Sequence, residues 1–265
     1  MPLRVCSLFS GSSGNTTLIA GGKSKILIDC GVSARATETA LLNVGVRPDS
    51  IRGIFITHEH SDHIKGVGIM SRKYNIPVYA NEKTWAAMED KVGDIPIMCM
   101  RYVNNNSEIY IDDLCVGNFK TSHDTVDPIG YTVESENKKV SIVTDTGCVS
   151  NSIINAVMGS QLLLLESNYD KKMLAECTYP AMLKQRIAGK KGHLSNEDCA
   201  DTILKLIDSN IKYILLSHLS KESNTPEIAY CTVKNILEQN NVYIGNDVMV
   251  DMTYRDKSTQ VYNLL

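Results

Sequence analysis

The chain has 265 residues, 43% of them apolar, and a formal charge of −3 from 27 basic and 30 acidic side chains. That size fits one large core and a single domain over 1–265, and the near balance of charge excludes a strongly basic nucleic-acid binder that works through its overall field. No run reaches the 18 consecutive apolar residues of a membrane helix, and the first residues are too short an apolar stretch for a signal peptide, so a soluble, cytoplasmic protein without membrane contact is expected.

Taken in chain order, apolar runs at 3–10, 16–20 and 25–29 with Gly-rich turns between them predict strands, followed by a helix near 34–44 and a strand running up to His58. A helix over 62–74, a strand at 78–80 and a helix over 83–90 come next. Strands follow near 108–116, 129–133 and 140–144, then a helix near 149–158 and a strand at 162–166. Helices are expected over 171–188 and 196–209, and an apolar run at 213–217 reads as a strand. The last helix has a clear start, with Thr225 as N-cap and Pro226 in the first turn, and two short strands close the chain. Eight Cys stand singly with no CxxC spacing, which favours buried reduced thiols over disulfides or a zinc ribbon.

The densest chemistry is Thr57-His58-Glu59-His60-Ser61-Asp62-His63, which directly follows Gly53-Ile54-Phe55-Ile56. Imidazole is a borderline-soft donor and carboxylate a hard one, so three His and one Asp within six positions suffice for two hydrolytic metals. His58 and His60 are two apart on an extended segment and point to one side; Asp62 and His63 open the next helix and can face a second ion. Three further metal-competent residues end strand-like runs: His123 after Asn118-Phe119-Lys120-Thr121-Ser122, Asp145 after Val140-Ser141-Ile142-Val143-Thr144, and His218 after Tyr213-Ile214-Leu215-Leu216-Ser217. Singly, such a residue is more often structural. Three of them point to ligands presented at one edge of an open α/β sheet.

The HxHxDH string, the later His and Asp, and the strings Phe9-Ser10-Gly11-Ser12-Ser13-Gly14-Asn15, Gly192-His193-Leu194-Ser195-Asn196 and Leu216-Ser217-His218-Leu219-Ser220 with Asn224-Thr225-Pro226-Glu227 resemble the metallo-β-lactamase-fold hydrolases, and among them the YycJ/WalJ branch. The resemblance covers almost the whole chain. It implies a four-layer αββα sandwich, where periodicity alone says only α/β. It also implies a dinuclear site with His58, His60 and His123 on the first ion, Asp62, His63 and His218 on the second, and Asp145 bridging them, Asp62 counting among the catalytic groups as well. The ions would be Zn²⁺ or Mn²⁺, since His/Asp sites accept both. The activity implied is that of a nuclease, a 5′ to 3′ DNA exonuclease using a hydroxide that bridges the metals.

Spacing separates this branch from others. Only 21 residues lie between His123 and Asp145, too few for the exosite arm of tRNase Z enzymes. The 72 residues between Asp145 and His218 are needed by the core fold, which leaves no place for a β-CASP insertion. After His218 there remain 47 residues, one helix and two strands rather than the helical substrate domain of a glyoxalase II. Class B β-lactamases generally lack the bridging Asp and are exported.

His193 and Glu166 resemble the proton donor and its orienting partner in related RNA-processing enzymes. Phosphate contact or a structural role is the alternative for His193, and a bond to a backbone amide or a ligand His is the alternative for Glu166. Between Lys171 and His193 there are six basic residues, among them Lys184, Arg186, Lys190 and Lys191, against the single acid Glu176; this is either a phosphate-tracking patch or a solvated helix face. Ser12, Ser13 and Asn15 either line an anion-binding turn or belong to a plain hairpin. Asp124 is placed to orient a ligand His, and Asn224 at the rim. Two other functions stay open: a small-molecule hydrolase such as a thioesterase or cyclic phosphodiesterase on the same metals, and a regulatory protein linked to two-component signalling in which the site is structural. Against the last stands the cost of gathering seven acidic and imidazole groups without a cation.

Overall fold

The apolar runs that open the chain become strands because each is short, rich in β-branched residues and closed by a Gly, Ser or Asn turn. The computed structural model describes residues 2–265, which divide into two compact units. The first comprises the chain up to Asn118 with Thr125–Lys138 and Tyr254–Leu265; the second comprises Phe119–Asp124 and Lys139–Thr253.

In the first unit β1 (Leu3–Phe9), β2 (Thr16–Ala20) and β3 (Lys25–Ile28) pair antiparallel, and β4 (Gly53–Phe55), β5 (Val78–Ala80) and β6 (Met100–Tyr102) extend the sheet from β3 in parallel. Helices α1 (Ala34–Asn43), α2 (Ser61–Ile64), α3 (Val67–Tyr74) and α4 (Glu82–Val92) lie in its connections. Ser33 and Asn81 cap α1 and α4 by accepting from the N–H groups of Ala36 and Thr84. Leu8, Leu27 and Ile54 of the sheet pack with Leu41, Met70 and Trp85 of the helices into one buried cluster. The helix expected over 62–74 is two, α2 and α3, because Gly66 turns out of helical pairing to donate to Cys30 O. The strand expected over 108–116 is a hairpin of β7 (Glu108–Ile111) and β8 (Leu114–Lys120). Its turn falls at Asp112, at φ 51°, and Asp113, a residue pair that favours turns over strand interior. β9 (Ile129–Ser135) completes this part of the chain.

The second unit is built on parallel strands. β10 (Lys138–Val143), which begins at the boundary, pairs with β11 (Leu162–Glu166), β11 with β12 (Tyr213–Ser217), and β12 with β13 (Met249–Met252). Buried on both faces, these strands read as continuous apolar runs such as Leu162 to Leu165. Helices α5 (Asn151–Val157), α6 (Lys171–Glu176), α7 (Ala181–Ile187), α8 (Asn196–Leu206) and α9 (Pro226–Gln239) connect them. Leu163, Leu165 and Leu216 pack against Ile203 of α8 and Val233 and Leu237 of α9 in a second cluster. The helix expected over 171–188 is broken into α6 and α7 at Pro180, which has no N–H to continue the ladder. Thr225 caps α9 as expected, its side chain accepting from Ile228 N–H at 3.2 Å. The chain returns to the first unit in β14 (Tyr262–Leu264), antiparallel to β1.

Among the described residues no helix is long and apolar enough to cross a membrane. The eight thiols are all free; Cys6, Cys30, Cys99 and Cys199 are buried, the other four partly or fully exposed.

In the first unit Gly31 lets the 11–15 turn and α2 meet. Its N–H donates to Asn15 O, Asn15 N–H donates to Asp62 O, and a Cβ on Gly31 would lie 1.7 Å from Asp62 O. Gly31→Ala is therefore expected to cost about 1 to 3 kcal/mol by overpacking, read as a thermal midpoint several degrees below wild type. An unchanged midpoint would contradict this packing.

Candidate metal centre

In the first unit the site begins at the end of β3. Asp29 leaves the strand at φ 59° and is 3% exposed; Asp is among the few residues other than Gly that tolerate this left-handed conformation. One carboxylate oxygen accepts from Thr57 N–H at 2.8 Å, the other from the Thr57 hydroxyl at 2.8 Å and from His63 Nδ1 at 2.7 Å. Because the Thr57 hydroxyl proton is directed at Asp29, its oxygen is left to accept from His58 Nδ1 at 3.0 Å. Burial pushes Asp29 up, and the charge and hydrogen bond of His63 act the other way without cancelling it.

His63 sits on α2, with its ring fully buried and its centroid 4.0 Å from that of His58; His60, the residue before α2, has its ring 4.8 Å from His58. Asn15 Nδ2 donates to Gly11 O at 3.1 Å and stands 3.1 Å from His63 Nε2 and 3.4 Å from Asp62 Oδ2. The Gly11 to Asn15 turn thus buttresses the HxHxDH string through Asn15, while Ser12 and Ser13 are exposed at its tip.

In the second unit the candidate residues follow from register. Val143 pairs with Leu165 and Glu166 with Ser217, so Asp145, Glu166 and His218 emerge side by side at the carboxyl ends of three parallel strands, where open α/β sheets bind their ligands. Asp145 at φ 55° and His218 at φ 56° both turn off their strands in the left-handed conformation. Glu166 is fully buried. One of its oxygens accepts from His193 Nδ1 at 2.7 Å and from His218 Nδ1 at 3.0 Å, the other from Thr146 N–H at 2.8 Å. Burial alone would raise its pKa, but the charge of His193 and the bonds from both imidazoles outweigh it and hold Glu166 below the usual carboxylate value.

His123 presents Nδ1 to Gly192 O at 2.9 Å, with Nε2 3.7 Å from Asp145 Oδ1. Gly192 must be glycine for that approach: a Cβ there would lie 2.1 Å from Arg186 O. His218 Nε2 is 3.5 Å and His193 Nδ1 3.8 Å from the same Asp145 oxygen. His193 is partly exposed, its ring centroid 5.0 Å from that of His123 and 5.3 Å from that of His218. Asp145, Glu166, His193 and His218 each offer a donor atom within 4.8 Å of the others. Glu166, with both oxygens occupied by N–H donors, orients imidazoles and is not itself left to coordinate.

These halves share one design. His58, His63, His123 and His218 each have Nδ1 bonded to a hydroxyl, carboxylate or carbonyl, which fixes the tautomer and leaves Nε2 as the ring nitrogen able to coordinate a metal. With the Asp62 and Asp145 carboxylates, the donor set fits divalent ions.

Other residues singled out in the sequence lie as follows. Arg186 pairs with Asp124, whose other oxygen is 3.5 Å from His123 Nε2. Lys184 Nζ donates to Ala175 O at 2.6 Å, and Lys190 and Lys191 are exposed. Asn224 is not at a rim: it is 4% exposed, donates to Ser167 O and Asn168 O at 2.9 and 3.0 Å, and exchanges bonds with Asn196, because amides this buried need internal partners. Sequence reasoning missed Asp29, Thr57 and Asn168, which donates to His218 O at 2.7 Å. Asp29 ends an apolar strand just as Asp145 does, and that signal was available; Thr57 and Asn168 carry none.

The metallo-beta-lactamase superfamily model matches residues 10–218. The exodeoxyribonuclease YycJ of Bacillus anthracis is 39% identical over 246 residues, 92% of this chain and 93% of that protein. The exodeoxyribonuclease WalJ of Streptococcus pneumoniae serotype 2 is 39% identical over 254 residues, 95% of this chain and 94% of that one. Among solved structures, the metallo-beta-lactamase fold protein YhfI of Bacillus subtilis superposes with a TM-score of 0.74 over 99% of this chain and 100% of its own, at 17% identity, and so bears on the fold alone. Two mixed sheets flanked by helices are the α/β fold of such proteins. Fold, donor set and relatives make the chain a metal-dependent hydrolase. It belongs to the metallo-β-lactamase superfamily and, through relatives that match nearly its whole length, to the YycJ/WalJ branch.

Proposed function

We propose that this chain is a dinuclear nuclease that degrades DNA from an end, in the 5′ to 3′ direction. The observation that carries the reading is the 39% identity, over more than nine tenths of each chain, to proteins named exodeoxyribonucleases. His58, His60 and His123 would hold one ion, Asp62, His63 and His218 the other, with Asp145 shared. Zn²⁺ and Mn²⁺ both suit the donors, and the unpaired thiols agree with a cytoplasmic location. Ser12, Ser13, Asn15, Lys184, Arg186, Lys190 and Lys191 are proposed to bear on substrate, Asn15 and Arg186 indirectly, through His63 and Asp124.

When bound, a pair of divalent ions supplies Lewis acidity and an activated water for attack on a phosphodiester. The protein's own part is proton handling and orientation. Glu166 accepts from His193 Nδ1, which leaves Nε2 to carry the proton given to the leaving oxygen. Asp29 and Glu166 hold His63 and His218 so that neither ring must reorganise during turnover.

Metal binding is checked first. Elemental analysis of metal-replete protein is expected to give two ions per chain, and Asp145→Ala to lose metal and activity together; at most one ion in the replete wild type would contradict the dinuclear reading. Asp29→Asn keeps a side chain that tolerates φ 59° but exchanges an acceptor for a donor beside His63 Nδ1, and should weaken metal affinity roughly 10- to 100-fold with the fold retained.

His193→Ala should keep its metal and lose roughly 10²- to 10⁴-fold in rate on DNA. A substrate with an activated leaving group should lose much less; equal losses on both would replace the acid role by plain binding.

The substrate itself is tested with end-labelled single- and double-stranded DNA and RNA, and with closed circular duplex, across several metals. Short products released from the 5′ end of linear DNA, with circles resistant, are expected. Nicked circles would indicate an endonuclease, and hydrolysis of a thioester or cyclic nucleotide with no nucleic acid cut would overturn the reading.

A further inference from the structure

We infer that the first unit carries a separate cleft for a single-stranded stretch of substrate, away from the bond being cut; the inference rests on the nuclease reading above. A cavity of about 680 Å³ lies between α1 and residues 256–259, within the range of roughly 300 to 1,000 Å³ typical of ligand sites. Nothing in the proposed chemistry uses it.

Its lining has the composition that single strands require. Phe9 is half-buried and offers an aromatic face beside Val44, Asn43 adds hydrogen-bonding capacity, and the cations Arg35 and Lys257 come from the two walls with Asp256 as the one acid. Lys257 Nζ is placed over the Tyr254 ring, 4.2 Å from its centroid, and among the described residues neither Arg35 nor Lys257 is paired with an acidic side chain. A groove with positive charge for phosphates and an aromatic face for a base is the sequence-tolerant mode of single-strand binding.

The cleft is joined to the ligand turn by a short piece of chain. Phe9 leads into the turn that ends at Asn15, Ser10 N–H donates to Tyr254 O at 2.9 Å, and Asn15 Nδ2 is 3.1 Å from His63 Nε2. Six residues of extended chain reach at most roughly 20 Å, a span that a few nucleotides cover. A strand engaged at the metals would thus meet the cleft, whereas a dinucleotide would be too short to occupy both.

The test compares the metal-loaded wild type with Arg35→Glu/Lys257→Glu and with Asp256→Lys, on a long single-stranded oligonucleotide and on a dinucleotide. All three positions are exposed, and matching thermal midpoints verify folding. The double variant is expected to raise KM for the oligonucleotide by roughly an order of magnitude at low salt. The slope of log KM against log salt should flatten by about 1.4, two contacts at about 0.7 each for single strands. Asp256→Lys should shift KM the opposite way, and the ratio of oligonucleotide to dinucleotide KM should follow these changes. Equal KM and slope in all three proteins, or equal shifts on both substrates, would remove the cleft and leave the nuclease reading standing. A wild type that cuts no nucleic acid would remove both.

Discussion

Two buried carboxylates, Asp29 and Glu166, set the geometry on which the site depends. An anion with almost no exposure is tolerated only when donors fill its oxygens, and here imidazole Nδ1 groups are among those donors: His63 on Asp29, His193 and His218 on Glu166. Each bond has two consequences. It offsets the desolvation of the carboxylate, and it leaves Nε2 of the same ring as the nitrogen able to coordinate a metal or carry a proton. In both units the stability of a buried charge and the orientation of an imidazole are one interaction.

Backbone conformation adds a second constraint. Asp29, Asp145 and His218 all leave their strands at φ between 55° and 59°, a conformation that costs roughly 1 to 2 kcal/mol for a residue with a Cβ. The strain persists because the parallel ladders and the carboxylate bonds fix each turn, and such outliers gather where a side chain must be aimed. Close backbone approaches serve the same end. Gly31 lets the turn before Asn15 lie against α2, and Gly192 brings its carbonyl to His123.

Much of the fold was open to reading in the sequence. β2, β5, β11 and β12 fall where the apolar runs end, and Thr225-Pro226 opens α9 at the expected residue, since local chemistry alone decides these points. The failures were tertiary. Gly66 breaks a helix in order to bond Cys30, and Asp112-Asp113 turns what reads as one strand into a hairpin whose acids also cap residues 23 and 24. Asn224, expected at a rim, fills an interior network with Asn196 and Ser167 that no spacing announces. The proposed ligands stood out in the sequence by density and by strand ends. The groups behind them did not, because a lone Thr57 or Asn168 has no pattern.

The direct measurement is a crystal structure of the metal-replete protein with anomalous scattering to place the ions. Two ions are expected, bonded to Nε2 of His63, His123 and His218, with Nδ1 of those rings still on Asp29, Gly192 and Glu166. Coordination through Nδ1, or ions placed while Asp29 and Glu166 have released their imidazoles, would contradict the view that buried carboxylates aim the ligands.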